Sequence, residues 1–220
     1  MNDKIKPWKS LNWPNRISIL RLMLVAPFVV LVMNQQVWTG ARHLALVIFV
    51  VMAISDFVDG TLARRLNAKT RLGAILDPLA DKVLIICSVV PLSLPHSAVA
   101  GAQLPDWVVV MIVGKDLWVI VGFLVIYLVT DRFRVRPTAA GKACTVVQLI
   151  MVVLVLLAPE FNRLAEGLGG RLATAASWMV AAICVLAVIS YTRLGLSFVA
   201  EGAKPLDDGA HKNQGSHGPH

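Results

Sequence analysis

Apolar residues along this chain come in long runs, separated by short polar and basic segments. A helix that crosses a bilayer takes about 20 mostly apolar residues. Six stretches approach that length: 17–35, 43–63, 73–94, 107–129, 143–159 and 172–198. The third stops at the Ser93-Leu94-Pro95 break, and the sixth closes on Tyr191-Thr192-Arg193. The pattern predicts an all-α, polytopic membrane protein with six transmembrane helices forming one domain over 17–200. Residues 1–16 are polar and basic and form the N-terminal segment, and no small-residue cleavage site follows the first apolar run, so that run is expected to be a retained span. Residues 201–220, rich in Gly and His, are expected to be a disordered tail.

Composition agrees with the runs. Hydrophobic residues make up 57% and charged residues 15%, against roughly 25% charged in soluble domains. Mean hydropathy is +0.70. The net charge of +8 comes from basic residues that flank apolar stretches, which favours an anionic membrane surface and argues against nucleic acid as partner. The basic residues also alternate by side. Lys4, Lys6, Lys9 and Arg16 precede the first span; Arg64, Arg65, Lys69 and Arg71 follow the second; Arg132, Arg134, Arg136 and Lys142 follow the fourth; Arg193, Lys204 and Lys212 follow the sixth. Only Arg42, Arg163 and Arg171 fall on the opposite side. The excess of positive charge in cytoplasmic loops then puts both termini in the cytoplasm. Cys87, Cys144 and Cys184 lie in apolar stretches without a CxxC pair, and read as small packing residues.

Four of the chain's 13 acidic residues fall within residues 56–81, at the predicted cytoplasmic ends of spans two and three. Charges there are expensive and usually functional. Asp56, Asp59, Gly60, Ala63 and Arg64 stand at i, i+3, i+4, i+7 and i+8, one face of a helix, and Gly73, Asp77 and Asp81 at i, i+4 and i+8 share another. Consecutive antiparallel helices would bring these faces together. Four converging carboxylates need a compensating cation to stay ionised; oxygen ligands of this kind suit Mg²⁺ or Mn²⁺, which also grip phosphate oxygens. Gly60 and Gly73 allow close approach, Arg64 can pair with phosphate, and Thr70 offers a hydroxyl, so the cluster reads as a diphosphate site. The plainer alternative matches the aspartates with Arg64, Arg65, Arg71 and Lys82 as buried ion pairs.

The segment Asp56-Phe57-Val58-Asp59-Gly60-Thr61-Leu62-Ala63-Arg64, followed by Gly73, Asp77 and Asp81, is similar to the signature of the CDP-alcohol phosphatidyltransferases. Pro14-Asn15 with Ser18 and Arg21, Leu76 to Lys82, and Gly141-Lys142 with Thr145 and Gln148 resemble the branch of that family containing phosphatidylglycerophosphate and cardiolipin synthases. The resemblance implies a six-helix bundle of that family's kind, a homodimer, and two divalent ions at the membrane–cytoplasm boundary, in a bacterial inner membrane or its equivalent. It implies Asp56, Asp59 and Asp77 as metal ligands, and Asp81 as general base that also touches the second metal. It assigns Gly60, Arg64, Thr70, Gly73, Asn15 and Arg21 to the CDP-lipid. The implied reaction moves a phosphatidyl group from CDP-diacylglycerol to an alcohol with release of CMP. A phosphorylated acceptor needs cations, and Lys115, Lys142 and Arg193 are the candidates, with Arg134 or Arg136 from the loop. Lys115-Asp116 lies inside span four and reads equally as a mutual ion pair. Glycerol 3-phosphate is the first expectation for the acceptor, and phosphatidylglycerol, giving cardiolipin, the second.

Two other function classes use intramembrane acids. An ion- or proton-coupled transporter would carry polar groups at mid-depth in several spans, whereas spans one, five and six have almost none. A prenyl-diphosphate transferase uses acidic motifs on helices well separated in sequence, and lacks the Gly60, Ala63-Arg64 and Gly73 pattern.

Overall fold

A computed structural model describes residues 13–65, 73–130 and 139–202; within them, 13–18, 56–65, 73–79, 123, 126–130 and 198–202 are described by backbone alone. The loop holding Thr70, the loop holding Arg132, Arg134 and Arg136, and the tail from 203 lie outside the described residues. The described residues form helices only: α1 (Trp13–Met33), α2 (Ala41–Arg65), α3 (Gly73–Ser93), α4 (Asp106–Thr130), α5 (Ala139–Leu156), α6 (Ala158–Leu164) and α7 (Leu168–Gly202). Six long helices coincide with the six apolar runs, and α6 is an added short one. Helices α1, α5 and α7 begin about one turn before the predicted spans, because polar turns extend each helix beyond its apolar stretch.

By length and apolarity, α5 and the Leu168–Ser197 part of α7 each suffice to cross a membrane, while α1 and α2 carry the shorter apolar stretches Ile19–Met33 and Ala41–Ser55. Large apolar side chains face outward on several helices, among them Met23, Val47, Ile54, Ile120, Ile150 and Leu186. So many large apolar side chains facing outward suit a lipid surround better than water.

Packing runs through two hubs. Helix α1 lies against α2 and α3, while α7 lies against α4, α5 and α6. The inward stripe of α1 is Arg21, Val25, Phe28 and Val32, and the Phe28 ring meets Phe49 of α2 at 5.6 Å between centroids. Small buried residues, including Ala45, Ala173, Ala176 and Ser177, let the helix axes approach. Ala182, grouped with Ala173 and Ala176 by sequence, faces outward instead.

Three connections meet at one end of the bundle. Gln35 Nε2 donates to the Ser97 carbonyl at 2.5 Å. Both Arg42 nitrogens donate to the Glu160 carboxylate at 2.5 Å, and Arg42 Nη1 also reaches the Leu156 carbonyl. The Gly169 amide donates to Asn162 Oδ1 at 2.7 Å. Of the run Gly167-Leu168-Gly169-Gly170, which the sequence suggests as a loop, only Gly167 is in the turn, at φ 71°. The rest open α7. A Cβ on Gly169 would stand 2.2 Å from the Ala158 carbonyl oxygen, so the missing side chain is what lets α7 start against α6. Because these three connections share one end, the facing ends of α2 and α3, with all four signature aspartates, belong to the other.

Candidate active site

Asp56 and Asp59 lie in the last turns of α2, and Asp77 in the second turn of α3; their side chains are outside the described set. So are those of Asn15 and Arg64; the backbones of these residues and of Gly60 and Gly73 are helical. Asp81, one turn further along α3 than Asp77, is described fully. Among the residues whose side chains are described, α1 touches both α2 and α3, and so does α5. A recess forms between α2, α3 and α5. Its lining is Ala53, Asp81, Leu84, Ile85, Thr145 and Leu149. Asp81 and Thr145 make its polar part, and the other four its apolar part.

The Asp81 carboxylate is held from below. Arg21 Nη1 donates to Asp81 Oδ1 at 2.9 Å, bridging α1 and α3. The Arg21 side chain is 1% exposed and that of Asp81 34% exposed, so the pair has a buried cationic end and a carboxylate facing the recess. A charge in an apolar interior is tolerated only when paired.

Next to Asp81, Lys82 points the other way. Its ammonium bonds to Asp116 Oδ1 of α4, and Lys115 Nζ reaches the same oxygen at 2.7 Å. The plainer expectation that Lys82 neutralises a signature aspartate is therefore corrected: Asp116 takes it, because α4 packs on that side of α3. Lys115 and Asp116 are 6% and 7% exposed, so the mutual ion pair anticipated for them forms, with Lys82 as a third member. Two lysines against one aspartate leave the group one positive charge in excess. Beneath it, Cys144 and Cys184 join α5 to α7 with sulfurs 3.4 Å apart, and Gln148 Nε2 donates to Cys144 Sγ at 3.4 Å. This fits the packing role expected for these cysteines.

Lys142 and Arg193 are both exposed, on α5 and α7. They share one end of the bundle, since the Tyr191 hydroxyl would lie 2.4 Å from a Cβ on Gly141. Lys115 is set apart from them by its burial. Thr145 and Tyr191 carry no site role in the sequence pattern. Thr145 is signalled only by the branch resemblance of Gly141-Lys142 with Thr145 and Gln148 and by its i+4 spacing from Gly141, which places it on the same side of α5.

As a donor set the signature suits a hard divalent cation. Its members are carboxylates, the hard oxygen donors that such ions prefer. Among the described side chains no three His, Cys, Asp or Glu residues come together; any such group would draw on Asp56, Asp59 and Asp77, outside that set.

Residues 11–189 match the family model for CDP-alcohol phosphatidyltransferase. The chain belongs to this family, and with its apolar helices and outward apolar surface it is a membrane protein. Among named relatives, a CDP-diacylglycerol–glycerol-3-phosphate 3-phosphatidyltransferase of Aquifex aeolicus is 35% identical over 135 residues, covering 61% of this chain and 70% of the relative. A probable phosphatidylglycerophosphate synthase of Mycobacterium tuberculosis is 33% identical over 197 residues, 89% of this chain and 83% of the relative. A CMP-forming cardiolipin synthase of Rattus norvegicus is 34% identical over 172 residues, 71% of this chain but 52% of the relative.

Proposed function

We propose that the protein transfers the phosphatidyl group of CDP-diacylglycerol to glycerol 3-phosphate, releasing CMP. The observation that carries this reading is the Asp81 carboxylate, fixed at the polar end of a recess beside the helix ends that hold the family signature. The relatives matched over most of their length are named for glycerol 3-phosphate as acceptor or for phosphatidylglycerophosphate as product, which favours that acceptor. The rat cardiolipin synthase supports phosphatidylglycerol as the second reading.

In the reaction, an acceptor hydroxyl attacks the lipid-side phosphorus. The new phosphorus–oxygen bond forms as the bond to CMP breaks, and CMP leaves with the electron pair. Asp81 accepts the hydroxyl proton, which requires hydrogen-bond reach in the bound complex. Thr145, across the recess, is placed to orient the acceptor. Gly60, Gly73, Arg64, Thr70 and Asn15 would seat the CDP moiety, and Lys142 and Arg193 would meet the acceptor's phosphate. Asp56, Asp59 and Asp77, with Asp81 touching the second ion, would hold two Mg²⁺ or Mn²⁺ ions. Bound there, these ions offset the diphosphate's negative charge as it redistributes.

Six spans with both termini in the cytoplasm put this site at the inner membrane boundary, where a soluble phosphate and a lipid-borne nucleotide meet. The concentration of basic residues at that end supports the orientation. A homodimer is part of the same reading. The test is product analysis with purified protein, CDP-diacylglycerol and Mg²⁺ or Mn²⁺: phosphatidylglycerophosphate is expected with glycerol 3-phosphate. Cardiolipin from phosphatidylglycerol, with no product from glycerol 3-phosphate, would replace the first reading by the second.

A further inference from the structure

We infer that Arg21 is a positioning residue for Asp81, acting through the carboxylate rather than by binding the nucleotide. The inference rests on the proposed reaction. Three observations carry it. Arg21 continues the buried stripe of α1 with Val25, Phe28 and Val32, where an apolar side chain would pack at less cost. Its guanidinium bonds to Asp81 Oδ1 at 2.9 Å across a separation of 60 residues. The side chain is 1% exposed whereas Asp81 is 34% exposed, so the arginine lies behind the carboxylate and the recess in front of it.

The physical need is plain. The terminal torsion of an aspartate is broad, and a carboxylate held at one end only swings about it. A general base must meet its proton at hydrogen-bond distance, and a misplacement of about 1 Å costs roughly a hundredfold in rate. A planar, permanently charged guanidinium anchored in packed core fixes one carboxylate oxygen and thereby the orientation of the whole group. Arg21 then sets the turnover rate without setting affinity for the CDP-lipid.

The experiment compares wild type, Arg21→Met, Arg21→Lys, Asp81→Asn and the Arg21→Met/Asp81→Asn double variant in detergent. It measures kcat, KM and equilibrium binding of CDP-diacylglycerol. Metal-dependent CMP release by the wild type comes first; its absence overturns the proposed reaction, and this inference with it. Given that release, Arg21→Met is expected to lower kcat by roughly a hundredfold while binding of CDP-diacylglycerol stays within about twofold of wild type. Arg21→Lys is expected to recover part of the rate, since an ammonium replaces the charge but not the fork. On the Asp81→Asn background, Arg21→Met is expected to cost nothing further, because the group it positions is already disabled. Binding that weakens in Arg21→Met with kcat unchanged would make Arg21 a nucleotide contact and overturn the inference, leaving the reaction intact. Additive losses in the double variant would overturn it as well. Arg21→Met fills the stripe with an apolar side chain of similar reach, and Arg21→Lys keeps the charge, so a folding failure of one leaves the other to decide.

Discussion

Asp116 shows how much a single buried carboxylate can govern. Its Oδ1 accepts from Lys82 and from Lys115, and removing its charge would leave Lys115 buried without compensation. Breaking a buried pair at one partner costs about 3–5 kcal/mol, while replacing both partners with apolar residues is often neutral. Asp116→Asn is therefore expected to lower the melting temperature in detergent sharply, and Lys115→Met/Asp116→Leu to recover most of the loss. Equal melting temperatures for wild type and Asp116→Asn would show that the group is solvated. At this scale the chain was only partly legible. Asp81 and Arg21 stand out as intramembrane charges, yet nothing in their spacing says that they meet, because the contact depends on how α1 and α3 pack. Lys82 adjoins the signature and invites pairing with it; the helix turn sends it to α4 instead.

At the scale of elements, small residues and one ion pair decide where the helices stop and meet. Gly169 adjoins the Ala158 backbone, with a Cβ position 2.2 Å from the carbonyl oxygen. Backbone cannot swing aside as a side chain tip can, so Gly169→Ala should push α7 off α6. The expected cost is about 1–3 kcal/mol, read as a lowered melting temperature, and an unchanged value would contradict the packing. On the same end, the Arg42 guanidinium donates to both Glu160 oxygens and holds that carboxyl down at about 2, from an ordinary 4.5. A carboxyl depressed on folding adds stability that is fully present above the unfolded value and is lost as pH falls toward the folded one. The contribution is thus constant above about pH 4.5 and disappears between there and about pH 2. Glu160→Gln should flatten that limb of a melting-temperature profile; an identical acid limb in the variant would show that the clamp contributes nothing. The six long helices were legible because apolar runs of span length leave few alternatives. Helix α6 was not, since Ala158–Leu164 is too short to show periodicity. The recess between α2, α3 and α5 was not legible either, because it depends on how helices distant in sequence pack.

Over the whole molecule, polarity is sorted by end. One end is closed by connections that bond to each other, Gln35 to Ser97, Arg42 to Glu160 and Gly169 to Asn162. The other gathers the signature aspartates of α2 and α3, the recess with Asp81 and Thr145, and the exposed Lys142 and Arg193. A tied end gives rigidity where no chemistry is needed, and the outward apolar surface leaves lipid as the surrounding solvent. In the proposed reaction the donor lipid would bring its nucleotide laterally from the bilayer, a soluble acceptor would come from water, and CMP would leave to it. The most direct check on this account is CMP released from CDP-diacylglycerol by the purified protein, measured with and without glycerol 3-phosphate and with Mg²⁺ or Mn²⁺ present or chelated. Release that requires both the acceptor and the metal, with phosphatidylglycerophosphate formed in equal amount, is the predicted result. No CMP from either glycerol 3-phosphate or phosphatidylglycerol with metal present would contradict it.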